Sequence, residues 1–375
     1  MEFLAIVLIL LAVIAAEKYV YQKYAFSRLE YHCRFSAAEV FEGDEITLIE
    51  EVSNNKLLPL PWLKAELTTS KWLDFAGSQS LVTEETRFVP SFFLLKSHHR
   101  VVRSWKVKCL KRGVYHLEKG VLISTDLLGT CSVSLPVEIH AEVTVLPKPI
   151  DMELGFRSVH SDSGPVIVRR HLLPDPFLIA GVREYVEGEP ISHVHWLATA
   201  RTGRLMVHNN EYSANQTLTV VLNVQSRSTE KYEVLDIDKI ETGIRVCAGF
   251  LDDTLRSGIP VRLIANACPD ENGEPAVTGC FWGKEHILDC LRLLARMPLE
   301  SSEHFPLFLR DVCSRFSSSD LVLVTAYLNE DIYDFAREQQ LLGVRVKIMY
   351  LAHLLPENVP SDLEIYQYWE EEEDS

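Results

Sequence analysis

The sequence predicts a multi-domain protein with an N-terminal transmembrane helix, a β-sandwich domain and an α/β domain built on a doubly wound sheet. Three observations predict this order: an unbroken apolar run at residues 3–16, short alternating segments over residues 31–146, and strand-like and helix-like segments that take turns from residue 218 onward. The corresponding divisions are an anchor (1–24), a sandwich (30–150), a linker with a dense motif (151–216), the α/β domain (217–368) and an acidic tail (369–375).

The first element is a membrane segment. The run from Phe3 to Ala16 has 14 apolar residues, short of the ~20 that span a bilayer. Lys18 can snorkel, and Tyr19 and Tyr21 suit the interface, so a helix from Phe3 to Tyr21 is long enough. A cleaved signal peptide is the alternative, but it would carry basic residues before the run rather than after it.

Charge around this segment predicts its orientation. Lys18, Lys23, Arg28 and Arg34 all follow the apolar run, so the positive-inside rule places the rest of the chain in the cytoplasm, below a single pass through the cell membrane. The eight cysteines form no Cys-x-x-Cys pair, and in this compartment we expect reduced core thiols.

The second element is a two-sheet sandwich of the immunoglobulin kind, because short β-rich segments are separated by turn residues. The clearest strand segments are Ile46–Val52, Trp62–Leu67, Val101–Cys109, Gly120–Ser124 and Val143–Leu146. Residues 96–119 hold eight basic side chains against Glu118 alone. We favour the solvated face of alternating strands over contact with anionic lipid head groups.

The third element alternates strands with helices, which predicts a mostly parallel doubly wound sheet. The predicted strands are Leu218–Val224, Ile259–Ala265, Leu321–Ala326 and Val344–Tyr350. The predicted helices are Tyr232–Arg256, ended by Gly258, and His286–Arg296, Phe305–Phe316 and Asp331–Gln340.

A dense motif precedes this domain without forming a clean strand or helix. It contains Arg183, Tyr185, Gly188-Glu189-Pro190, His195-Trp196 and Ala200-Arg201. These residues resemble the signature of a bacterial family called domain of unknown function 58. Weaker support comes from Arg112-Gly113-Val114-Tyr115, from Asp126-Leu127-Leu128-Gly129, and from the order of the domains. The chain departs from the family where Glu189 replaces an aspartate, where Ser192 and His193 replace an arginine, and in having one membrane helix rather than two.

The resemblance implies a von Willebrand A-like α/β domain and a partner of the MoxR type of AAA+ ATPase, with a role in assembly or maturation of other complexes. In such a domain, a metal site lies after the first strand, where Asp-x-Ser-x-Ser supplies oxygen ligands. Here Asn223, Gln225 and Arg227 occupy those positions, and Ala326 follows Thr325. Because Arg227 brings positive charge and Asn223 has lost the carboxylate, we predict no working metal site and no cofactor.

The motif itself allows two interpretations. Arg183 and Arg201 can bind carboxylates, and Tyr185 and Trp196 can anchor the segment in a core, so we favour a buried network that fastens the linker. A recognition surface is the alternative. A metal site on His193 and His195 has weak support, since strand spacing would place both on one face without a clear third ligand.

The charge pattern narrows the class of partner. The chain has a formal charge of −16, and residues 211–375 carry 14 basic against 29 acidic side chains. A nucleic-acid binder would need a basic surface, so we expect no nucleic-acid partner and favour a basic protein surface instead. The acidic tail reads as a disordered, solvated end.

Three functions remain open. The first is a membrane-anchored cytoplasmic adaptor, not an enzyme, that binds a MoxR-type AAA+ ATPase. The second is a hydrolase that uses His193, His195 and a carboxylate, although Gly-x-Ser-x-Gly, His-Glu-x-x-His and a phosphate-binding glycine loop do not occur in the sequence. The third is an envelope structural protein, which requires the opposite topology.

Overall fold

The chain forms two compact units, Met1–Lys148 and Pro149–Ser375. The computed structural model describes residues 2–126, 128–151, 156–159, 179–185, 194–210, 217–231, 234–269, 273–316, 318–356 and 358–368. The predicted acidic tail lies outside the described residues. All eight cysteines are free thiols.

The predicted N-terminal helix is confirmed as α1, Glu2–Tyr24. Residues Phe3–Tyr24 are long and apolar enough to span a bilayer, as judged by length and composition. Most side chains from Phe3 to Val20 are exposed, whereas Tyr21 and Ala25 are buried in the first unit. The helix therefore leaves the unit just before Tyr21.

The described residues of the first unit form ten strands after α1. Their bounds are β1 Leu29–Phe35, β2 Glu39–Phe41, β3 Glu45–Asn54, β4 Leu60–Ser70, β5 Leu73–Phe75, β6 Leu81–Val82, β7 Thr86–Leu95, β8 His99–Cys109, β9 Gly113–Thr125 and β10 Ser132–Leu146. One sheet has the order β1-β3-β8-β5 and the other β2-β10-β9-β4-β7-β6. The two-sheet prediction is confirmed, and each of the five strand segments that the sequence indicated lies in a strand.

The two sheets share one interior. Leu48 of β3 and Val107 of β8 belong to the same buried cluster as Leu67 of β4 and Val143 of β10, and all four side chains are fully buried. Along β8, Lys106 and Lys108 are exposed while Val107 is buried. A half-buried strand produces this alternation, so much of the exposed basic charge in residues 96–119 is explained without a bound ligand.

A buried carboxylate lies among these apolar side chains. Glu50 faces inward on β3 and is 0% exposed. It accepts hydrogen bonds from the Tyr31 hydroxyl at 2.6 Å, the Ser91 hydroxyl at 2.5 Å and the Trp105 indole N–H at 2.7 Å. Burial, together with the Glu50 charge, raises the pKa of Tyr31, so its hydroxyl stays a donor at neutral pH.

Lys56 is the reverse case, a buried cation. It is 8% exposed, its Nζ has no hydrogen-bond partner among the described residues, and burial lowers its pKa from 10.5 to about 8. We expect Lys56→Met to stabilise the protein in detergent by about 3 kcal/mol at pH 7, since the pKa falls from 10.5 to about 8 and each pKa unit corresponds to about 1.4 kcal/mol.

The pH dependence tests the cause of that gain. With a lowered folded pKa, the unfolded chain binds the extra proton between pH 8 and 10.5, so the destabilisation by Lys56 fades as pH rises through that window. Urea denaturation should therefore show the advantage of Lys56→Met falling by at least half at about pH 9.5. An equal advantage at both pH values would mean that the ammonium is not the cause. The exposed residue Lys106 supplies the control, as Lys106→Met.

The second unit is an α/β structure. Its strands are β11 Arg157–Ser158, β12 Ile179–Glu184, β13 Met206–Asn210, β14 Leu218–Leu222, β15 Val261–Ala265, β16 Ala276–Val277, β17 Asp320–Thr325, β18 Arg345–Tyr350 and β19 Glu364–Gln367. Its helices are α2 Trp196–Thr202, α3 Ile237–Ser257, α4 Lys284–Arg296, α5 Phe305–Asp311 and α6 Glu330–Leu341, with a 3-10 turn at Cys313–Arg315.

The main sheet of this unit has the order β11-β19-β18-β17-β14-β15-β16. Its five central strands are parallel, and β11 and β16 pair antiparallel at the two edges. In chain order the parallel strands follow the 2-1-3-4-5 arrangement of a doubly wound sheet, whose switch point lies between β14 and β17. The prediction of a mostly parallel sheet is confirmed, and the sequence missed β19 and both edge strands.

Helix α3 packs closely on the sheet. Its Asp236 N-cap accepts from the Lys239 N–H, and Gly258 ends the helix in the left-handed conformation, as predicted. At Gly243, a Cβ atom would lie 2.8 Å from Leu351 Cδ1 and 3.2 Å from Leu222 Cδ1. The absent side chain therefore lets the helix approach β14, which places the loop before α3 over the end of the sheet.

Candidate functional site

Polar side chains meet at the carboxyl end of the sheet, at its switch point. Asn223 directly follows β14, and Thr325 ends β17. The Asn223 amide donates to the Thr325 hydroxyl at 3.0 Å, and both residues are fully buried. Open α/β sheets present their ligands in this crevice, so these residues define the candidate site.

The oxygen of Asn223 is already engaged by the protein. It accepts from the Gln225 N–H at 3.0 Å and from the Asn266 amide at 3.4 Å. Asn266 in turn accepts from the Val224 N–H at 2.7 Å and donates to the Glu303 carbonyl at 3.2 Å. Two amide side chains thus join the ends of β14 and β15 to the segment before α5.

The side chain of Gln225 also links separate loops at this end of the sheet. Its Oε1 accepts from the Phe305 N–H at 2.8 Å and from the Tyr327 hydroxyl at 3.3 Å, and its Nε2 donates to the Glu230 carbonyl. Burial raises the pKa of Tyr327 to about 12, so the phenol remains a donor. The side chain of Gln225 therefore ties the start of α5 to the loop after β17.

A buried carboxylate closes the loop between β14 and α3. Glu230 is 6% exposed and accepts from the Ser226 N–H at 2.6 Å, the Ser226 hydroxyl and the Leu235 N–H at 3.1 Å. Ser226 Oγ then accepts from the Asp236 N–H at 3.1 Å, next to the first turn of α3. This carboxylate stabilises the loop through backbone contacts.

The geometry bears on the predicted absence of a metal. The oxygens of Asn223 and Gln225 each accept two donors from the protein, so their lone pairs face N–H and O–H groups rather than an outside cation. Arg227 lies exposed beyond them. Among the described residues no group of three or more His, Cys, Asp or Glu side chains could hold a metal ion. The absence of a working metal site stays a prediction.

Sequence reasoning named Asn223, Gln225 and Thr325 but missed Asn266, Glu230 and Tyr327. A signal for Asn266 existed, because it directly follows the predicted strand Ile259–Ala265 as Asn223 follows β14. Glu230 had no such signal, since its burial depends on the fold of the loop.

The signature motif forms a small structure of its own. β12 pairs antiparallel with β13, with Arg183 opposite Val207. The Tyr185 N–H donates to the Leu205 carbonyl at 2.9 Å, and the His195 N–H to the Met206 carbonyl at 2.8 Å. The expectation that the motif lacks clean strands and helices is wrong for the described part, because backbone pairing between segments far apart in sequence completes β12. Gly188, Glu189 and His193 lie outside the described residues.

The helix of this motif is mostly exposed. His195 is the N-cap of α2, where its Nδ1 accepts from the Ala198 N–H at 3.1 Å. Trp196 is 65% exposed, and Ala200 and Arg201 are exposed as well. The expectation that Trp196 anchors the segment in a core is therefore wrong, since it begins a seven-residue helix without a buried residue. His195 lies at a helix end rather than in the strand that a shared face with His193 required.

A cysteine and a histidine also meet in α4. Cys290 Sγ lies 3.6 Å from His286 Nε2, and the same nitrogen lies 2.8 Å from the Val261 carbonyl, to which it donates. Burial raises the pKa of Cys290 to about 11. A thiol that stays protonated, next to a histidine whose nitrogen is engaged by a carbonyl, is not an activated nucleophile.

The part of the chain that holds the signature motif and the switch point matches a known protein family. Residues 181–360, which contain the signature motif and the switch point, match the model of the family described as protein of unknown function DUF58. No curated protein matches the sequence.

Solved structures give cohesin-like and related β-domain neighbours. A non-cellulosomal cohesin from Archaeoglobus fulgidus has 13% identity and a TM-score of 0.21, and the match covers 32% of this chain and 91% of that one. A CARDB domain from Pyrococcus furiosus has 12% identity and a TM-score of 0.19, with 30% and 96% covered. A cohesin from Pseudobacteroides cellulosolvens has 14% identity and a TM-score of 0.20, with 32% and 94% covered. At these TM-scores the likenesses say nothing about partner or activity.

Proposed function

We propose that this chain, which belongs to the family of proteins of unknown function DUF58, is a membrane-anchored interaction protein whose α/β unit binds another protein at the carboxyl end of its sheet. One observation carries the proposal. The crevice where such sheets hold substrates is filled by Asn223, Gln225 and Asn266, whose polar atoms bond to one another and to the backbone. A site closed in this way suits a rigid docking platform better than catalysis.

The rim of this crevice offers a surface for a partner. Leu235 is 64% exposed and Ile237 43% exposed at the start of α3, and Leu307 is 54% exposed on α5. Arg227 and Lys231 lie exposed in the loop between β14 and α3. Apolar side chains beside basic ones form the kind of mixed patch that protein interfaces use.

The partner we propose is an AAA+ ATPase of the MoxR type, with a role in assembly or maturation of other complexes. This part rests on the family resemblance, as does our proposal that the α/β unit is von Willebrand A-like. The excess acid of residues 211–375 favours a partner that is basic overall, whereas Arg227 and Lys231 at the rim favour acidic groups directly opposite them. The positive-inside rule supports a cytoplasmic location for both units, below a single-pass anchor.

Affinity capture tests the proposal directly. The full chain, solubilised in mild detergent, is used as bait with and without ATP, and recovered proteins are identified by mass spectrometry. We expect an AAA+ ATPase to be recovered, and Leu235→Asp to reduce its recovery at least about tenfold, as hot-spot losses of over 1.4 kcal/mol do. Leu341→Asp is the matched control. Leu341 is 88% exposed and is the last residue of α6, so it lies away from the carboxyl end of the sheet, where α6 begins.

Two outcomes would contradict the proposal. Equal recovery with Leu235→Asp and Leu341→Asp would remove the carboxyl end of the sheet as the docking site. Failure to recover an ATPase in either nucleotide condition would remove the partner class. A reporter fused after Ser375 tests the predicted membrane topology, because activity in the periplasm alone would place both units outside the cytoplasm.

A further inference from the structure

Four connecting segments meet at one end of the sandwich. Strand pairing places them there, since Leu29 lies opposite Asn54, Leu60 opposite Leu95, and Trp62 opposite Thr125. Those pairs bring together the exit of α1 (25–28), the loops 55–59 and 96–98, and the described residues of the next loop, 126 and 128–131. This set of four segments is called the α1 end below.

The helix is fixed to this end by its own side chains. The Tyr21 hydroxyl lies 2.6 Å from the Ser124 hydroxyl and donates to the Thr125 carbonyl at 2.9 Å. Tyr21 and Ala25 share a buried cluster with Leu60 and other residues of both sheets. The α1 end therefore faces whatever surface the helix enters.

The spacing along α1 leaves little room between the apolar run and the sandwich. The run ends at Ala16, and Tyr21 is five residues later, which is ~7.5 Å along a helix. The head-group layer on each side of the hydrocarbon is about 5–7 Å thick. The 14-residue run covers only ~21 Å of the ~30 Å hydrocarbon, so the span must continue to about Tyr21, where Phe3–Tyr21 covers ~28 Å. Tyr21 then lies at the edge of the hydrocarbon and the α1 end lies in the head-group layer.

The side chains exposed there suit such a layer. In the loops of this end, Leu57 is 80% exposed and Leu128 56%, and in the adjoining strands Trp62 is 65% exposed and Leu94 63%. Arg28 and Lys96 are exposed cations in these segments, and Lys23 is exposed in the last turn of α1 just before them. Tryptophan and basic residues around an apolar tip are the pattern of an interfacial contact with anionic lipid.

We propose that the α1 end docks on the anionic surface of the bilayer, with the tips of Leu57 and Leu128 inserted and Lys23, Arg28 and Lys96 against lipid phosphates. This inference rests on the membrane anchor of the proposed function and does not depend on its ATPase partner. The tether holds the α1 end at high effective concentration near lipid, so weak individual contacts suffice.

Depth-dependent quenching tests the docking. The full chain, carrying an environment-sensitive fluorophore on a single noncanonical keto residue, is reconstituted in nanodiscs of 70% phosphatidylcholine and 30% phosphatidylglycerol, with or without brominated acyl chains. The labelled positions are Leu57 and, as the matched control, Leu81, which is 67% exposed on β6 at the opposite end of the sandwich. Ile9 in α1 reports the anchor. We expect quenching at Leu57 to be at least about threefold that at Leu81.

The outcomes separate this inference from the anchor on which it rests. Quenching at Ile9, with Leu57 no more quenched than Leu81, would overturn the docking and leave the anchor intact. Loss of quenching at Ile9 as well would overturn both. Quenching at Leu57 and Ile9 but not at Leu81 supports docking.

The lipid charge tests the second half of the proposal. In nanodiscs of phosphatidylcholine alone, or with Lys23→Gln and Lys96→Gln together, we expect quenching at Leu57 to fall at least about twofold while quenching at Ile9 is unchanged. Lys106→Gln is the control, since that exposed lysine lies on β8 towards the opposite end. Equal quenching in neutral and anionic lipid would overturn the role of the cations.

Discussion

Glu50→Ala is expected to destabilise the first unit by about 4 kcal/mol. The substitution leaves the Tyr31 and Ser91 hydroxyls without their carboxylate acceptor, and it leaves the Trp105 indole N–H with only the Ser91 hydroxyl at 3.2 Å. Each buried donor that loses its partner costs about 1–3 kcal/mol. Ser91 is fully buried and Tyr31 and Trp105 are half-buried, so solvent can rescue part of the loss. The sum remains among the larger effects of a single substitution.

Hydrogen exchange in mild detergent measures this loss on peptides that cover β3 and β4. The matched control is Glu51→Ala, which removes the neighbouring carboxylate, one that pairs with Arg100 at the surface; we expect a loss below about 1 kcal/mol there. Glu50→Gln keeps one acceptor oxygen and should fall between the two. Equal effects of Glu50→Ala and Glu51→Ala would mean that the buried hydrogen bonds do not stabilise the sandwich.

The two carboxylates also illustrate what the sequence could predict. Period-2 alternation in β3 correctly placed a strand at Ile46–Val52, because apolar side chains occupy the inner face. The same alternation puts Glu50 on that inner face with Leu48 and Val52, where a carboxylate is not expected. Its partners Ser91 and Trp105 come from other strands, so no local pattern could reveal why the charge is tolerated.

In the second unit, too, some elements could be predicted from the sequence and others could not. Buried parallel strands such as β14 and β17 are continuous apolar runs and were predicted to within two residues. β19 was missed, because Glu364–Gln367 is short and begins with a charged residue, and it forms by pairing with β18 on one side and β11 on the other. Asn223 and Gln225 were located by a family pattern, but their bonds to Asn266 and Phe305 required the folded loops.

The role of that polar network leads to the second large effect. Asn223→Asp should destabilise the second unit by about 3–4 kcal/mol, because it replaces an amide donor with a buried carboxylate. The Asn223 amide donates to Thr325 Oγ1, whose own hydrogen is already donated to the Tyr327 carbonyl at 2.8 Å. A carboxylate there would face the lone pairs of the Thr325 hydroxyl rather than a donor.

A divalent cation distinguishes a structural network from a latent metal site. If the protein lacks a place for the ion, about 10 mM Mg²⁺ should leave the stability of both the parent chain and Asn223→Asp within ~0.5 kcal/mol of the values with chelator, since only a ligand of the folded state stabilises it. Asn329→Asp is the matched control, because Asn329 accepts from the Ile332 N–H as the N-cap of α6, where aspartate serves equally well. Recovery of Asn223→Asp by Mg²⁺ would show that one restored carboxylate is enough to hold a cation beside Gln225 and Thr325. The closed network would then be one substitution away from a metal site, and the interpretation of this end of the sheet as a docking platform without chemistry would fail.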